Sequence, residues 1–301
     1  VRNLIKLAPR PIHKALRDLS RRRSERRYFA QGLTRVKCGA YDIEAPKNHL
    51  LVNLLKAQPY RDLCVGITAK YVSAKYPDGT MIDIGANIGD TAALIATYAR
   101  NKLMLVEGSD YFFELLVRNT SHLPNELTLK NVLVSDGRKI SGRFRHWGGT
   151  ASFHEGASET LQIQTERLSA IAADENSVCF IKLDTDGYDF GILSDSIEWL
   201  AAEHPAILFE NQIRNAPDRI AADELYATLS QIGYTFFIVW DDPGFHLVST
   251  TSLDILKDLN RYLFKVFQND GHRSICNYDV LCLHGNDEDV YRNICEWYKD
   301  Y

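Results

Sequence analysis

The stretch MIDIGANIGDT, residues 81–91, decides the fold. Ile82-Asp-Ile84 is strand-like, Gly85-Ala-Asn-Ile-Gly89 is a glycine turn, and Asp90 or Thr91 can cap a helix that begins there. Strand, glycine turn and helix in this order bring a ligand to a helix N-terminus at the carboxyl end of a strand. A nicotinamide dinucleotide needs the tighter G-x-G-x-x-G turn for its pyrophosphate, and Ala86 and Asn87 break that spacing, which disfavours an NAD-dependent oxidoreductase.

The flanking sequence extends the same pattern. From residue 80 strands and helices alternate: strand 80–84, helix 91–98, strand 102–106, helix 110–119 and strand 127–134. The alternation resumes with strand 178–183, helix 190–202, strand 206–209 and helix 221–232, and ends with strands 234–240, 245–248 and 278–283. The expected fold is α/β, a doubly wound, mostly parallel Rossmann-like sheet. Residues 136–156, rich in Gly, Ser and Arg, read as hairpins or a mobile loop. Leucines at 50, 51, 54 and 55 followed by Leu63, Ile67, Ala69 and Val72 have helical spacing. The expected division is a basic N-terminal arm (1–40), a helical lead-in (41–79) and the main domain (80–301).

Composition sets outer bounds. A 301-residue chain with 45% hydrophobic and 25% charged residues can bury a large core. No apolar run approaches the roughly 20 residues of a membrane span, so the body is expected to be soluble and cytoplasmic. Six cysteines without C-x-x-C spacing read as reduced core thiols. The net charge of −4 conceals an asymmetry: residues 1–30 hold ten Lys and Arg against Asp18 and Glu25, a net +8, and the remainder carries −12. Such an arm suits an anionic membrane surface, or packs on the body through Leu4, Leu7, Ile12, Leu16 and Leu19. The acidic body has no interleaved aromatic and basic platform, so no nucleic-acid partner is expected.

Two groups of acids carry the chemistry. Glu107 ends the strand after the glycine loop, where a ribose places its hydroxyls. Together they specify an adenosine without demanding a pyrophosphate, and S-adenosylmethionine fits, with its amino-acid end near Asp83, Gly85 and Asn87. In IKLDTDGYD, residues 181–189, Asp184 ends a strand and Asp186 follows in the turn, while Glu210 ends the next strand on the same rim. Three converging carboxylates would repel unless they hold a cation, share a proton or face a base such as Lys182, two residues before Asp184 on the same strand face. Asp184, Asp186 and Glu210 could therefore bind Mg²⁺, or Asp184 and Glu210 could act as general base, with His146 and His154 as second choices. Alternatively, Asp186 and Asp189 only cap the helix starting near Phe190.

Asp83-Ile-Gly-Ala-Asn-Ile-Gly89, Glu107 with Asn119, and Ile181-Lys-Leu-Asp-Thr-Asp-Gly187 followed by Ala206-Ile-Leu-Phe-Glu210 resemble the FkbM-like family of class I S-adenosylmethionine-dependent methyltransferases. The likeness covers about residues 80–240. It implies O-methylation, frequently of sugar hydroxyls in polysaccharides or glycosylated metabolites, with a glycan or small-molecule acceptor. N-methylation of protein or nucleic acid and a non-catalytic cofactor-binding module are the rivals. The cofactor-binding set is then Asp83, Gly85, Ala86, Asn87, Gly89, Asp90, Thr91, Glu107, Ser109, Ser135 and Asp136, and the catalytic set Asp184, Glu210 and Lys182. Departures from the family pattern are Gly108 in place of the usual proline, Asp186 and Asp189 where glutamates are usual, and Glu166-Arg-Leu168 where Leu-Asp is usual.

Overall fold

The structure, a computed structural model, describes residues 32–156, 161–175, 177–268, 275 and 277–299. In chain order the elements are β1 (Leu33–Cys38), β2 (Tyr41–Pro46), α1 (Leu51–Ala57), α2 (Leu63–Lys75), β3 (Thr80–Ile84), α3 (Asp90–Tyr98), β4 (Leu103–Val106), α4 (Asp110–Thr120) and β5 (Leu127–Lys130). Then come β6 (Lys139–Trp147), β7 (Thr150–Glu155), β8 (Leu161–Gln164), α5 (Leu168–Ile171), β9 (Val178–Leu183), α6 (Asp189–Asp195), α7 (Ile197–Glu203) and β10 (Ala206–Asn211). The chain closes through α8 (Ala216–Gln231), β11 (Tyr234–Asp241), β12 (His246–Thr250), α9 (Leu253–Gln268), β13 (Tyr278–His284), a 3₁₀ turn (Gly285–Asp287) and α10 (Glu288–Lys299).

Eight strands form the central sheet in the order β12-β11-β13-β10-β9-β3-β4-β5. The five from β10 to β5 pair in parallel, and β13 joins β10 and β11 antiparallel. Alternate residues along each strand serve opposite faces, as the two-residue side-chain period requires. Met81, Leu103, Leu105, Phe180 and Leu208 pack with α2, α3, α4 and α10, whereas Ile82, Met104, Val106, Ile181 and Phe209 pack with α5 to α9. Both faces of the sheet are covered, which is why its inner strands are apolar at nearly every position. The doubly wound, mostly parallel fold expected from the alternation is the fold observed.

Three local expectations are corrected. The boundary placed at 40/41 falls inside a hairpin, because β1 pairs β2 from Leu33↔Pro46 to Cys38↔Tyr41. Buried Ile43 and Ala45 alternate with the less buried Asp42 and Glu44, a strand signal that the following leucines obscured. Strand β5 ends at Lys130 rather than Val134, which leaves Val132 to Val134 free to line the site. Helices α9 and α10 were not expected at all; each is amphipathic and packs on one of the two faces of the sheet. Residues 136–156 resolve into the antiparallel sheet β7-β6-β8, the hairpin alternative. Cys38, Cys64, Cys179, Cys282 and Cys295 are free thiols, and Cys276 and the basic arm lie outside the described residues. No described helix is long and apolar enough to cross a membrane.

Candidate active site

The glycine loop spends its own amides internally. Gly85 and Ala86 both donate their backbone N–H to the Val106 carbonyl, at 2.9 and 3.0 Å, and Gly89 donates to Ala86 at 2.8 Å. These groups are therefore closed to a phosphate, in keeping with a loop not built for a dinucleotide. Gly85 has φ +79°, and a Cβ there would lie 2.0 Å from the Asp184 carbonyl, so the loop can cross the end of β9 only at a glycine. Asn119 pins the loop from behind: its Nδ2 donates to the Ile88 and Glu44 carbonyls, each at 2.8 Å.

Glu107 extends from β4 into this corner. Its Oε2 accepts from the Asn87 N–H at 3.0 Å and its Oε1 from the Ser109 N–H at 2.7 Å. Burial pushes its carboxyl up to about 7, against the lowering effect of those two donors. Each carboxylate oxygen keeps a further lone pair. Glu107 lines an open cleft with about 570 Å³ of empty volume, whose apolar walls include Val132, Leu133, Phe144 and Phe153. A carboxylate beside an apolar slot suits a ribose diol carrying a flat base, so the residues present fit an adenosine.

A second cleft, of about 740 Å³, lies on the other side of the loop. Gly85, Asn87, Asp184 and Asp186 line both clefts and so form the wall they share. Beneath this wall Lys182, which also reaches the second cleft, stands 3.2 Å from Asp83 and 3.8 Å from Asp184. Burial alone would lower the lysine pKa, but the charges of Asp83, Asp184 and Asp90 hold it raised. Asp83 is fully buried, and its other oxygen accepts from the Thr91 hydroxyl. Asp186 sits in a left-handed turn at φ +54°, with its carboxylate 3.4 Å from the Ser152 hydroxyl. Burial, then the neighbouring charge of Asp184, pushes its carboxyl up to about 6, with Arg214 opposing. Asp62 and Asp90, also in this cleft, are pushed to about 6 by burial.

The structure divides the residues expected from the sequence. Gly85, Asn87 and Glu107 line the first cleft, and Asp90 and Thr91 line the second. Asp83, Ala86, Gly89 and Ser109 stand behind these walls, buried. Ser135 and Asp136 lie beyond the site: the Ser135 N–H donates to Glu166, and exposed Asp136 pairs with Arg138 at 3.0 Å. Glu210 lines neither cleft; Asn277 donates to it at 2.7 Å, and burial together with nearby carboxylate charges raises its pKa well above the usual range. Asp184, Asp186 and Glu210 are thus held by Lys182, Ser152 and Asn277 in turn. Among the described residues no group of three His, Cys, Asp or Glu could hold a metal ion, so the expected Mg²⁺ site is not formed. Asp189, buried as the first residue of α6, does not cap that helix by its side chain; it ties down the turn before it, accepting from the Thr185 hydroxyl and the Gly187 N–H at 2.9 and 3.4 Å. His146 hydrogen-bonds the Ser109 hydroxyl at 2.8 Å, and His154 lines neither cleft.

His49, Arg61 and Asp62 were missed. They belong to the segment between β2 and α2, where no spacing relates them to the glycine loop. Phe144 and Phe153 could have been found, as apolar alternates within a stretch whose glycines masked its strands.

Residues 83–236 match the sequence profile of the methyltransferase FkbM domain. The curated proteins contain no sequence match. Similar solved structures include methyltransferase FkbM from Methylobacillus flagellatus KT, with 16% identity over 51% of this chain and 37% of that chain and a TM-score of 0.36. Others are the plantazolicin methyltransferase BamL in complex with a triazolic desmethylPZN analog and SAH (8% identity, 78% and 89% of the two chains, TM-score 0.40) and the METTL16 MTase domain (11%, 72% and 64%, TM-score 0.39). The present chain spans about 37% of the length of the Methylobacillus protein.

Proposed function

The chain belongs to the FkbM methyltransferase family, and from that premise we propose that it methylates a hydroxyl of a sugar-bearing acceptor with S-adenosylmethionine as donor. The observation that carries this reading is the shared wall: an adenosine-shaped cleft with Glu107 on one side, an acid-lined cleft on the other, and Asp184 and Asp186 between them. Glu107, Phe144 and Phe153 would hold the adenosine, leaving the reacting end at the wall. When bound, the cofactor supplies an electrophilic methyl group on a sulfonium, open to in-line displacement.

The chain's own part is to align and deprotonate the acceptor. A sugar hydroxyl is a poor nucleophile at neutral pH, and a base whose pKa lies near the working pH serves it best. Asp186 meets this condition with a carboxyl near 6. Asp184, also on the wall and carrying the second charge of the pair, raises Asp186 into that range. The carboxylates of the second cleft suit the hydroxyls of a polyol, which can donate to each of them.

Glu107→Ala is expected to weaken binding of S-adenosylhomocysteine by about 100-fold, the loss of charge-assisted hydrogen bonds to the ribose. Wild-type affinity should also fall as pH drops below about 7, because the ribose hydroxyls need the ionised carboxylate. Calorimetry that found the same dissociation constant for both proteins would overturn the ribose assignment. Transfer of labelled methyl to a panel of glycans tests the acceptor class; label entering only protein or nucleic acid would overturn it, and no turnover on any acceptor would favour a binding module. The arm of residues 1–30 we assign to an anionic membrane surface carrying the acceptor. Equal co-sedimentation with neutral and anionic vesicles would count against that assignment.

A further inference from the structure

The β6–β7 hairpin divides its side chains between the two clefts. Residues directly opposite on an antiparallel pair share one face of the ladder, as do residues two apart along a strand. One face carries the pairs Phe144↔Phe153 and His146↔Ala151. Phe144, Ala151 and Phe153 line the first cleft, and His146 bonds the Ser109 hydroxyl beside Glu107. The other face carries Arg145↔Ser152 and Trp147↔Thr150. The Ser152 hydroxyl meets the Asp186 carboxylate at 3.4 Å, and Thr150 lines the second cleft. The hairpin thus turns one side to the cofactor and the other to the acceptor.

Trp147 ends the acceptor side. It is 72% exposed, the most exposed large apolar side chain among the described residues, whereas Trp240 is fully buried. Its backbone is fixed all the same. The turn Gly148-Gly149 that follows it is held on both sides: the Leu50 N–H donates to the Gly148 carbonyl and the Asn87 side chain to the Gly149 carbonyl, each at 2.7 Å. Gly148, Gly149 and Thr150 all line the second cleft, so the indole stands at its edge on a supported backbone. Leu50 flanks the turn, but the ladder face itself continues from Trp147 to Arg145 and Ser152, which makes the indole one aromatic plane in a polar face. A pyranose suits such a plane, because its C–H bonds carry the partial positive charge that the negative face of an aromatic ring attracts, while its hydroxyls project sideways to polar groups.

Strand spacing decides which ring of the acceptor it meets. Trp147 lies two residues, about 7 Å along the strand, beyond Arg145, whose partner Ser152 contacts Asp186. A hydroxyl deprotonated at Asp186 keeps its own ring beside Ser152 and brings the next ring of the chain over the indole. We propose that Trp147 stacks against the sugar unit next to the one that is methylated, so that the acceptor is a disaccharide or longer glycan rather than a single sugar. This assignment rests on the reading of the second cleft as the acceptor's.

The test is steady-state methyl transfer from S-adenosylmethionine to methyl hexopyranosides and to the methyl glycosides of their disaccharides. Trp147→Ala should raise KM for the disaccharides by about 3- to 10-fold, the value of one aromatic contact. It should leave KM for single sugars and the affinity for S-adenosylhomocysteine unchanged, and Trp147→Tyr, which keeps an aromatic plane, should recover most of the loss. An unchanged disaccharide KM in Trp147→Ala, or wild-type turnover confined to single sugars, would overturn the assignment. An equal rise for both acceptor sizes would also overturn it, by placing the indole against the methylated ring itself. Weakened S-adenosylhomocysteine binding would overturn it too, by making Trp147 a support of the cofactor side. A wild-type protein that methylated other acceptors but neither size of saccharide would overturn the reading of the acceptor itself, which separates that failure from the failure of Trp147.

Discussion

Asp186→Asn should lower kcat by about 10²- to 10⁴-fold, the usual contribution of a general base, and should leave cofactor affinity unchanged. In the wild-type enzyme the rate should rise with pH through about 6, as Asp186 loses its proton. In Asp186→Asn that rise should vanish from what activity remains. Asp184→Asn tests the relation between the two acids. After burial, the charge of Asp184 raises Asp186, so its removal should shift the rise to lower pH while turnover persists. Steady-state rates across pH 4.5–8 distinguish the roles, a range of about two units around the expected midpoint. If Asp184→Asn lost turnover and Asp186→Asn kept it, the assignments would be exchanged.

Lys182→Met is expected to destabilise the fold by about 3–5 kcal/mol, the cost of stranding a buried charge. The stranded charge is Asp83, fully buried between β4 and β9 with only the Thr91 hydroxyl left to it. Asp83→Asn combined with Lys182→Met removes both charges and should recover most of that loss, since an uncharged pair carries no desolvated ion. Urea unfolding of the wild type, each single variant and the double variant measures the coupling. Additive losses would mean that the two side chains do not stabilise one another. The same pair bears on function, because Lys182 stands directly beneath Asp184 at the shared wall.

Much of the site was legible because it is local to strand ends. In a parallel sheet every strand ends on one rim, so Glu107, Asp184 and Asp186 could be placed there from the alternation of strands and helices alone. Lys182 as a partner for Asp184 followed from two-residue periodicity, although the structure adds Asp83 as its closer partner. Glu210 met the same sequence criterion and was misplaced. Its strand also pairs with β13, opposite Asp279, and Asn277 arrives there from 67 residues farther along the chain to occupy the carboxylate. Strand order, which local pattern does not encode, decided that outcome. His49 was invisible for a related reason: nothing in Asn48-His-Leu50 records that the β6–β7 turn at Gly149 will close against it.

The sequence by itself determined the doubly wound sheet, the glycine loop unsuited to a dinucleotide, and the register that brings Glu107 and the Asp184–Asp186 turn to one rim. These are consequences of hydrophobic period, of backbone conformations open to glycine, and of the side-chain direction of a strand. Only the tertiary structure decided which of the rim carboxylates face a cleft, which are neutralised, and that no metal cluster forms among the described residues. Those outcomes depend on burial and on partners distant in sequence, and the energy of a carboxylate is set by its neighbours in space rather than by its position in the chain.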